Sequence, residues 1–193
     1  MIVWIDIETT GLDPQNDAIL EVAMIITADD LTPIAKYSNI IKPSEDKLLR
    51  MDDYVTKMHT GSGLLDELAK TDNSLADVEK ELIAVLEDNH ATNRALLAGN
   101  SVHFDRNFLE AQMPELMKRF SYQNLDVTSV SHVVRRFLPA KYEAISAKRK
   151  EIAHRAMDDI ESSIEQLEKY LTAMGVIGKS DGGYPDKVPN YAY

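Results

Sequence analysis

The chain has 193 residues, 44% of them hydrophobic and 27% charged, which suits one domain with a full-sized core. It has no cysteine, which excludes disulfides and thiolate metal sites and is compatible with a reducing compartment such as the cytoplasm. A net charge of -11 disfavours gripping long nucleic acid by its backbone but leaves room for a small nucleotide held through metal ions.

No apolar run approaches the ~18–20 residues of a membrane span, so no membrane partner is expected. A strand pattern that starts almost at once leaves no place for a signal peptide. Residues 2–9, IVWIDIET, read as a buried strand, and AILEVAMIIT (18–27) reads as a second, central one. After the turn ADDLTP, residues 34–43 read as a third strand ending at Pro43, which completes an antiparallel meander. Residues 45–70 read as helix broken at Gly61 and Gly63. Ser74 is a good cap for a helix over 74–89, where Leu75, Val78, Leu82, Val85 and Leu86 keep helical spacing. ALLAGN (95–100) is a short strand running into a turn, and residues 104–120 are helical in pattern with a kink or restart at Pro114. A short strand at 124–127 precedes a helix at 128–138. The last helix carries Met157, Ile160, Ile164, Leu167, Leu171 and Met174, a stripe stepping by three and four. From Gly175 the composition predicts a mobile tail, 175–193, behind one domain of residues 1–174. Meander first and alternating elements afterwards imply an α/β fold with a mixed sheet.

Asp6 and Glu8, two apart on a strand, share one face at a spacing of ~7 Å. Two anions there repel unless a cation or a proton lies between them. Alone the pair is a weak signal, since a solvated strand end also accommodates it. GNSVHFDRNFL (99–109) adds Asp105 at a helix start, and AHRAMDDIESS (153–163) adds His154 five residues before Asp159. Asp105, Asp158 and Asp159 have an ordinary reading as helix N-terminal charges, and His154 as a loop histidine. As a set, three acidic sites at a strand face and two helix starts, with a histidine, are hard to dismiss.

The order Asp-x-Glu, a distant Asp in NSVHFD, then His-x4-Asp resembles the DEDDh 3′–5′ exonucleases, and within them the oligoribonuclease family. VWIDIETTGLD, MHTGSGL, LAGNSVHFDRNFL and HRAMDDIESSIEQL carry the resemblance over nearly all of residues 1–174. It implies an RNase H-like mixed five-stranded sheet, an antiparallel three-strand meander plus parallel strands, flanked by helices. It implies a 3′–5′ exoribonuclease degrading short single-stranded oligoribonucleotides, down to dinucleotides, to nucleoside 5′-monophosphates. Two divalent ions per site, Mg²⁺ or Mn²⁺, would be held by Asp6, Glu8, Asp105 and Asp159. Such a pair stabilises charge on the attacking and leaving oxygens of a phosphodiester, and oxygen ligands suit these ions. His154 would be the general base, since an unperturbed histidine titrates near pH ~6.5.

The resemblance also implies substrate contacts. Leu12 matches an apolar wedge between the terminal bases, and Tyr54 stands where Trp is usual and would stack on a base. His59 and Ser101 match residues near the scissile and terminal phosphates, and Thr128 keeps a hydroxyl where Ser is usual. Tyr122 matches a tyrosine that reaches the partner's site in a homodimer. Two positions depart from the family: Thr9 replaces the usual Met, and Gln123 replaces an Arg that caps the substrate's 5′ phosphate. Gln supplies neither the charge nor the bidentate fork, so looser selection of dinucleotides is expected. Arg119, or the basic cluster at Lys148–Lys150, is the alternative source of that charge; Lys148, Arg149 and Lys150 form a basic run with Arg155 beside His154. The competing readings are a broader DEDDh exonuclease on single-stranded DNA or RNA ends, and a non-catalytic nucleotide- or protein-binding module.

Overall fold

The computed structural model of the chain describes residues 1–91, 94–147 and 154–177. The elements are β1 (Ile2–Thr9), β2 (Ile19–Thr27), β3 (Pro33–Ile40), α1 (Glu45–Leu48), α2 (Asp53–Gly61), α3 (Leu64–Leu68) and α4 (Leu75–Asp88), followed by β4 (Ala95–Gly99), α5 (His103–Gln112), α6 (Pro114–Met117), β5 (Phe120–Asp126), α7 (Val127–Phe137), α8 (Pro139–Ser146) and α9 (Ala156–Met174). The strands form one five-stranded sheet in the order β3-β2-β1-β4-β5. β1, β2 and β3 pair antiparallel, and β4 and β5 add on in parallel, giving the mixed sheet expected.

Alternation along β1 sorts the core. Val3, Ile5 and Ile7 join Val22, Met24 and Ile26 of β2 on one face, packed with Val78 and Leu82 of α4 and Phe108 of α5. Trp4 points the other way with Ala23 and Ile25, toward Val134 of α7 and Ile160 and Leu167 of α9. Asp6 and Glu8 follow Trp4 in the two-residue period, so they face the α9 side. β2 lies between β1 and β3 and is buried at every position. The β1–β2 register shifts between Glu8 and Thr9, an irregularity that releases the chain into the loop carrying Leu12.

Four expectations need correction. β3 stops at Ile40 rather than running to Pro43, because the Lys42 N–H turns to the Asn73 carbonyl (2.9 Å). The 45–70 helix breaks at Gly63 (φ 77°) as expected but also before α2, where the Asp52 carboxylate caps the Val55 N–H. β5 begins at Phe120, four residues before the short strand read from the sequence, and the helix assigned through Phe120 ends earlier. β5 is a sheet edge whose Ser121–Asn124 stretch offers no apolar alternation to read. Helix α8 buries no residue and shows no stripe, so the sequence did not announce it. Pro114 restarts a helix as anticipated, standing at the first position of α6. Gly175 closes α9 in a left-handed conformation (φ 76°), and Ile177 is buried beyond it. Residues 178–193 of the expected tail lie outside the described residues, as do Lys148, Arg149 and Lys150.

Candidate active site

Asp6, Glu8 and Asp159 each present a carboxylate oxygen within 4.8 Å of the other two. β1 supplies two of them and the first turn of α9, packed on that face, supplies the third. Asp105, on α5, lies outside that group of three but near enough to repel Asp6 and Glu8. β1 and β4 pair only as far as Trp4–Ala98, and the Ile7 N–H beyond that point donates to Asp105 Oδ1 (3.1 Å). Burial, and then repulsion from Asp105, Asp159, Glu8 and Glu21, hold the Asp6 carboxyl well above its ordinary range. Burial, and then repulsion from Asp159, Glu21 and Asp105, push Glu8 up to about 8. Burial raises Asp105 to about 7 and Asp159 to about 6. Raised carboxyl groups of this kind would release protons to a divalent cation bound among them. The donors are all hard oxygens, the set that Mg²⁺ and Mn²⁺ prefer.

His59 is fully buried on α2, and its ring nitrogen Nε2 lies 2.9 Å from the Thr9 carbonyl oxygen. A carbonyl only accepts, so Nε2 carries the proton and Nδ1 of the neutral ring is an acceptor. Burial holds this imidazole below its usual pKa. Among the described residues Nδ1 has no hydrogen-bond partner, and it faces Glu8 Oε2 at 3.8 Å. A buried acceptor without a donor, beside a carboxylate cluster, fits a site that receives a hydroxyl or water from outside. His154 precedes α9 with φ 52°, close to Asp159 and His59.

From Glu8 a cavity of about 500 Å³ runs past Leu12, Arg50, Tyr54 and Phe104. Leu12 is 82% and Tyr54 72% exposed, so neither serves the core. The loop that carries Leu12 is fixed without it. Thr9 Oγ1 donates to the Gly11 carbonyl, Ala18 N–H donates to Thr10 Oγ1, and Asp17 Oδ2 accepts from the Asp13 N–H. A Cβ at Gly11 would lie 2.4 Å from Asp17 Oδ2, so a larger residue there would push the Asp17 carboxylate away from the Asp13 N–H and Arg50.

The exonuclease family RNase_T matches residues 3–167. The mitochondrial oligoribonuclease of Homo sapiens is 39% identical over 170 residues, 88% of this chain and 71% of that one. The oligoribonuclease of Corynebacterium diphtheriae is 40% identical over 174 residues, 89% of this chain and 82% of the relative. That of Pseudomonas fluorescens is 39% identical over 88% of this chain and 93% of its own. The chain belongs to the oligoribonuclease family. Among solved structures, exonuclease I of Methylocaldum szegediense superimposes with a TM-score of 0.66 at 18% identity, over 89% of this chain and 40% of that one. E. coli exonuclease I in complex with a dA16 oligonucleotide gives 0.65 at 16%, over 89% and 40%. These likenesses show the RNase H-like fold, and this chain spans about two fifths of those exonucleases' length.

Other residues matched to the oligoribonuclease family fall into two groups. Ser101 and Thr128 come together: the Ser101 N–H donates to Thr128 Oγ1 and to Asp126 Oδ1, both at 2.9 Å, and the two hydroxyls are 3.1 Å apart. Tyr122 and Gln123 stay apart from the cavity, on edge strand β5, with Tyr122 85% exposed and its hydroxyl accepting from Gln123 Nε2 at 3.4 Å. Arg119, the described candidate for the charge missing at Gln123, is held elsewhere in the chain. Arg119 lies before Phe120, which pairs with Ala95 at the far end of β4, and it is bonded to Glu87. Arg155 is not part of a solvated basic run, because Glu21 and Glu67 grip it from both sides.

Glu21 was not anticipated from the sequence, nor were Asp17 and Arg50. Glu21 stands opposite Glu8 in the β1–β2 register and is 3% exposed. Its signal was available: one acid inside the apolar run ILEVAMIIT needs a partner, and Arg155 is that partner. Arg50 Nε donates to Asp17 Oδ1 (3.1 Å) and so links the α1–α2 connection to the Leu12 loop.

Proposed function

We propose that this oligoribonuclease-family chain is a 3′–5′ exoribonuclease that removes nucleoside 5′-monophosphates from very short single-stranded oligoribonucleotides, down to dinucleotides, with two divalent ions per site, Mg²⁺ or Mn²⁺. One observation carries the reading. A largely buried cluster of carboxylates meets, at Glu8, a cavity that is also lined by the exposed Leu12 and Tyr54. Asp6, Glu8, Asp105 and Asp159 would hold the ions. Bound there, the ions supply the positive charge that stabilises the attacking and leaving oxygens. His154 takes the proton from the attacking water. Neutral His59 accepts at Nδ1, so it binds a ribose hydroxyl of the terminal nucleotide rather than a phosphate oxygen. Leu12 and Tyr54 hold the bases from either side. Ser101 and Thr128 offer hydroxyl groups to the terminal phosphate.

The proposed assembly is a homodimer in which Tyr122 and Gln123, exposed on the edge strand β5, reach the partner's substrate. Sedimentation as a monomer at assay concentration would refute it. No helix among the described residues is long and apolar enough to cross a membrane. We place the activity in the cytoplasm on the cysteine-free composition, with the relatives named as mitochondrial as the competing location to test by fractionation.

The deciding experiment incubates the protein with a 5′-phosphorylated RNA dinucleotide, longer single-stranded RNA and single-stranded DNA, in Mg²⁺, Mn²⁺ or EDTA. The expected product is nucleoside 5′-monophosphate, formed fastest from the dinucleotide and only with metal. Equal rates on DNA and long strands would favour the broader exonuclease that Gln123 suggests. No turnover in any metal would leave a binding module.

A further inference from the structure

We infer that Arg155 is a positioning residue for His154, its clamp on Glu21 and Glu67 holding the histidine in the backbone conformation that presents it to the acidic cluster. The inference rests on the reading of His154 as the general base.

His154 has φ 52°, in the left-handed region that a residue with a Cβ rarely occupies. Such a conformation persists only where its surroundings over-determine it. The local helix start does not do so. Arg155 is the N-cap of α9, in extended conformation (φ -130°, ψ 128°), and makes no side-chain cap bond. The anchoring comes from elsewhere in the chain. Arg155 donates from Nε and from one terminal nitrogen to Glu21 at 3.0–3.3 Å, and from both terminal nitrogens to Glu67 at 2.8 and 3.0 Å. The Ala156 N–H donates to Glu21 Oε2 at 3.3 Å, which caps α9 from another strand. Both residues that follow His154 are thus tied to β2, whose nine residues are all buried. The planar guanidinium fork fixes orientation as well as distance, which one point charge does not.

The clamp also accounts for Glu21. Its charge adds to the repulsion on Asp6, Glu8 and Asp159, so it burdens the cluster it adjoins. An apolar side chain would suit that strand position better unless the carboxylate serves another group. Arg155 is that group, and its charge in turn works against the repulsion at Glu8.

The test is a double-mutant cycle. Arg155→Gln, Arg155→Lys and Glu67→Gln are made in the wild type and in His154→Ala, with Mn²⁺ affinity, thermal unfolding, kcat and KM on the 5′-phosphorylated RNA dinucleotide measured for each. Misplacing a reacting group by an ångström costs about a hundredfold. Arg155→Gln is therefore expected to lower kcat by about ten- to a hundredfold, with KM and Mn²⁺ affinity nearly unchanged. Arg155→Lys should lie between Arg155→Gln and wild type, and Glu67→Gln, which loses one jaw only, should cost less. In His154→Ala none of the three should cost anything further. In the metal-free protein the His154 ring-proton resonances should move in Glu67→Gln, while those of His90, His103 and His132 stay. Equal losses in both backgrounds, or a fall in Mn²⁺ affinity, would show that Arg155 acts on the fold or the carboxylates and would overturn the inference. Where Arg155→Gln fails to fold, Glu67→Gln and Arg155→Lys decide, because both keep a cation on buried Glu21. A fully active His154→Ala would sink the base reading and the inference together, whereas an inactive one with additive losses sinks the inference alone.

Discussion

At the carboxylate end of the cavity, Asp6, Glu8, Asp105 and Asp159 come from β1, α5 and α9 and are set by the register and packing of the sheet. At the other end, proposed for the bases, Leu12 and Tyr54 stand on a loop and on the first turn of α2 with most of their surface free. The first group is coupled to the core and to one another: Asp105, Asp159 and Glu8 raise Asp6, and Asp159 and Asp105 raise Glu8. The second is coupled to little beyond its own loop or helix. Chemistry on a phosphodiester requires charges placed in advance, whereas gripping a base requires apolar surface left open. Substitutions at the two ends should therefore fail in different ways.

The largest effect is expected from Asp6→Asn, Asp105→Asn or Asp159→Asn, each lowering kcat by more than about a thousandfold if the ions supply several kcal/mol. None should lower the unfolding temperature in EDTA, because each removes a repulsive charge. Dinucleotide turnover and thermal melts measure both, and near-full activity in any one variant removes that residue from the site. Leu12→Ala and Tyr54→Ala come next. Losing a stacking contact worth about 1–3 kcal/mol should raise KM by about ten- to a hundredfold, with kcat and unfolding temperature nearly unchanged. A loss confined to kcat would erase the contrast between the two ends.

A third expectation concerns pH. The raised carboxylates bind protons in the folded state that the unfolded chain releases near pH ~4. The metal-free protein should therefore lose stability as pH rises from about 4 through the folded values, which reach about 8 at Glu8. Melts in EDTA at about pH 5 and about pH 8.5 check the sign, and added Mn²⁺ should raise the melting temperature more at the higher pH. Leu12→Ala should leave this profile untouched, and Asp6→Asn should flatten it. The smallest effect is expected at Gln123. Gln123→Arg should sharpen the preference for a 5′-phosphorylated over an unphosphorylated dinucleotide by about tenfold or less. Competition binding in Ca²⁺ measures it, and a strong preference already present in the wild type would mean that another cation serves the phosphate.

The contrast also explains what the sequence made legible. β1, β2, α4 and α9 were read closely because their apolar spacing is imposed by burial on one face or two. β5 and α8 bury little, so no periodicity marked them. Asp6, Glu8, Asp105 and Asp159 were found as a set because charges in a strand or at helix starts stand out against apolar neighbours. Glu21 belongs to the same class and was passed over because its partner, Arg155, lies 134 residues away and looked like part of a basic run. Asp17 and Arg50 carried no signal, since a loop acid and a loop base become informative only once the fold brings them to 3.1 Å.

Gly11 and Asp17 hold the Leu12 loop through backbone and carboxylate contacts, and the Leu12 side chain takes no part in that hold. The loop therefore works as a socket and residue 12 as an exchangeable bit. Methionine, phenylalanine or an environment-sensitive fluorescent amino acid set at position 12 would face the cavity from the same backbone point, at little cost in folding. Such a probe would report occupancy directly, as an emission change when a base enters, in enzyme whose carboxylates have been disabled. Substrate preference and binding kinetics at this site can then be surveyed one bit at a time, without rebuilding the protein around it.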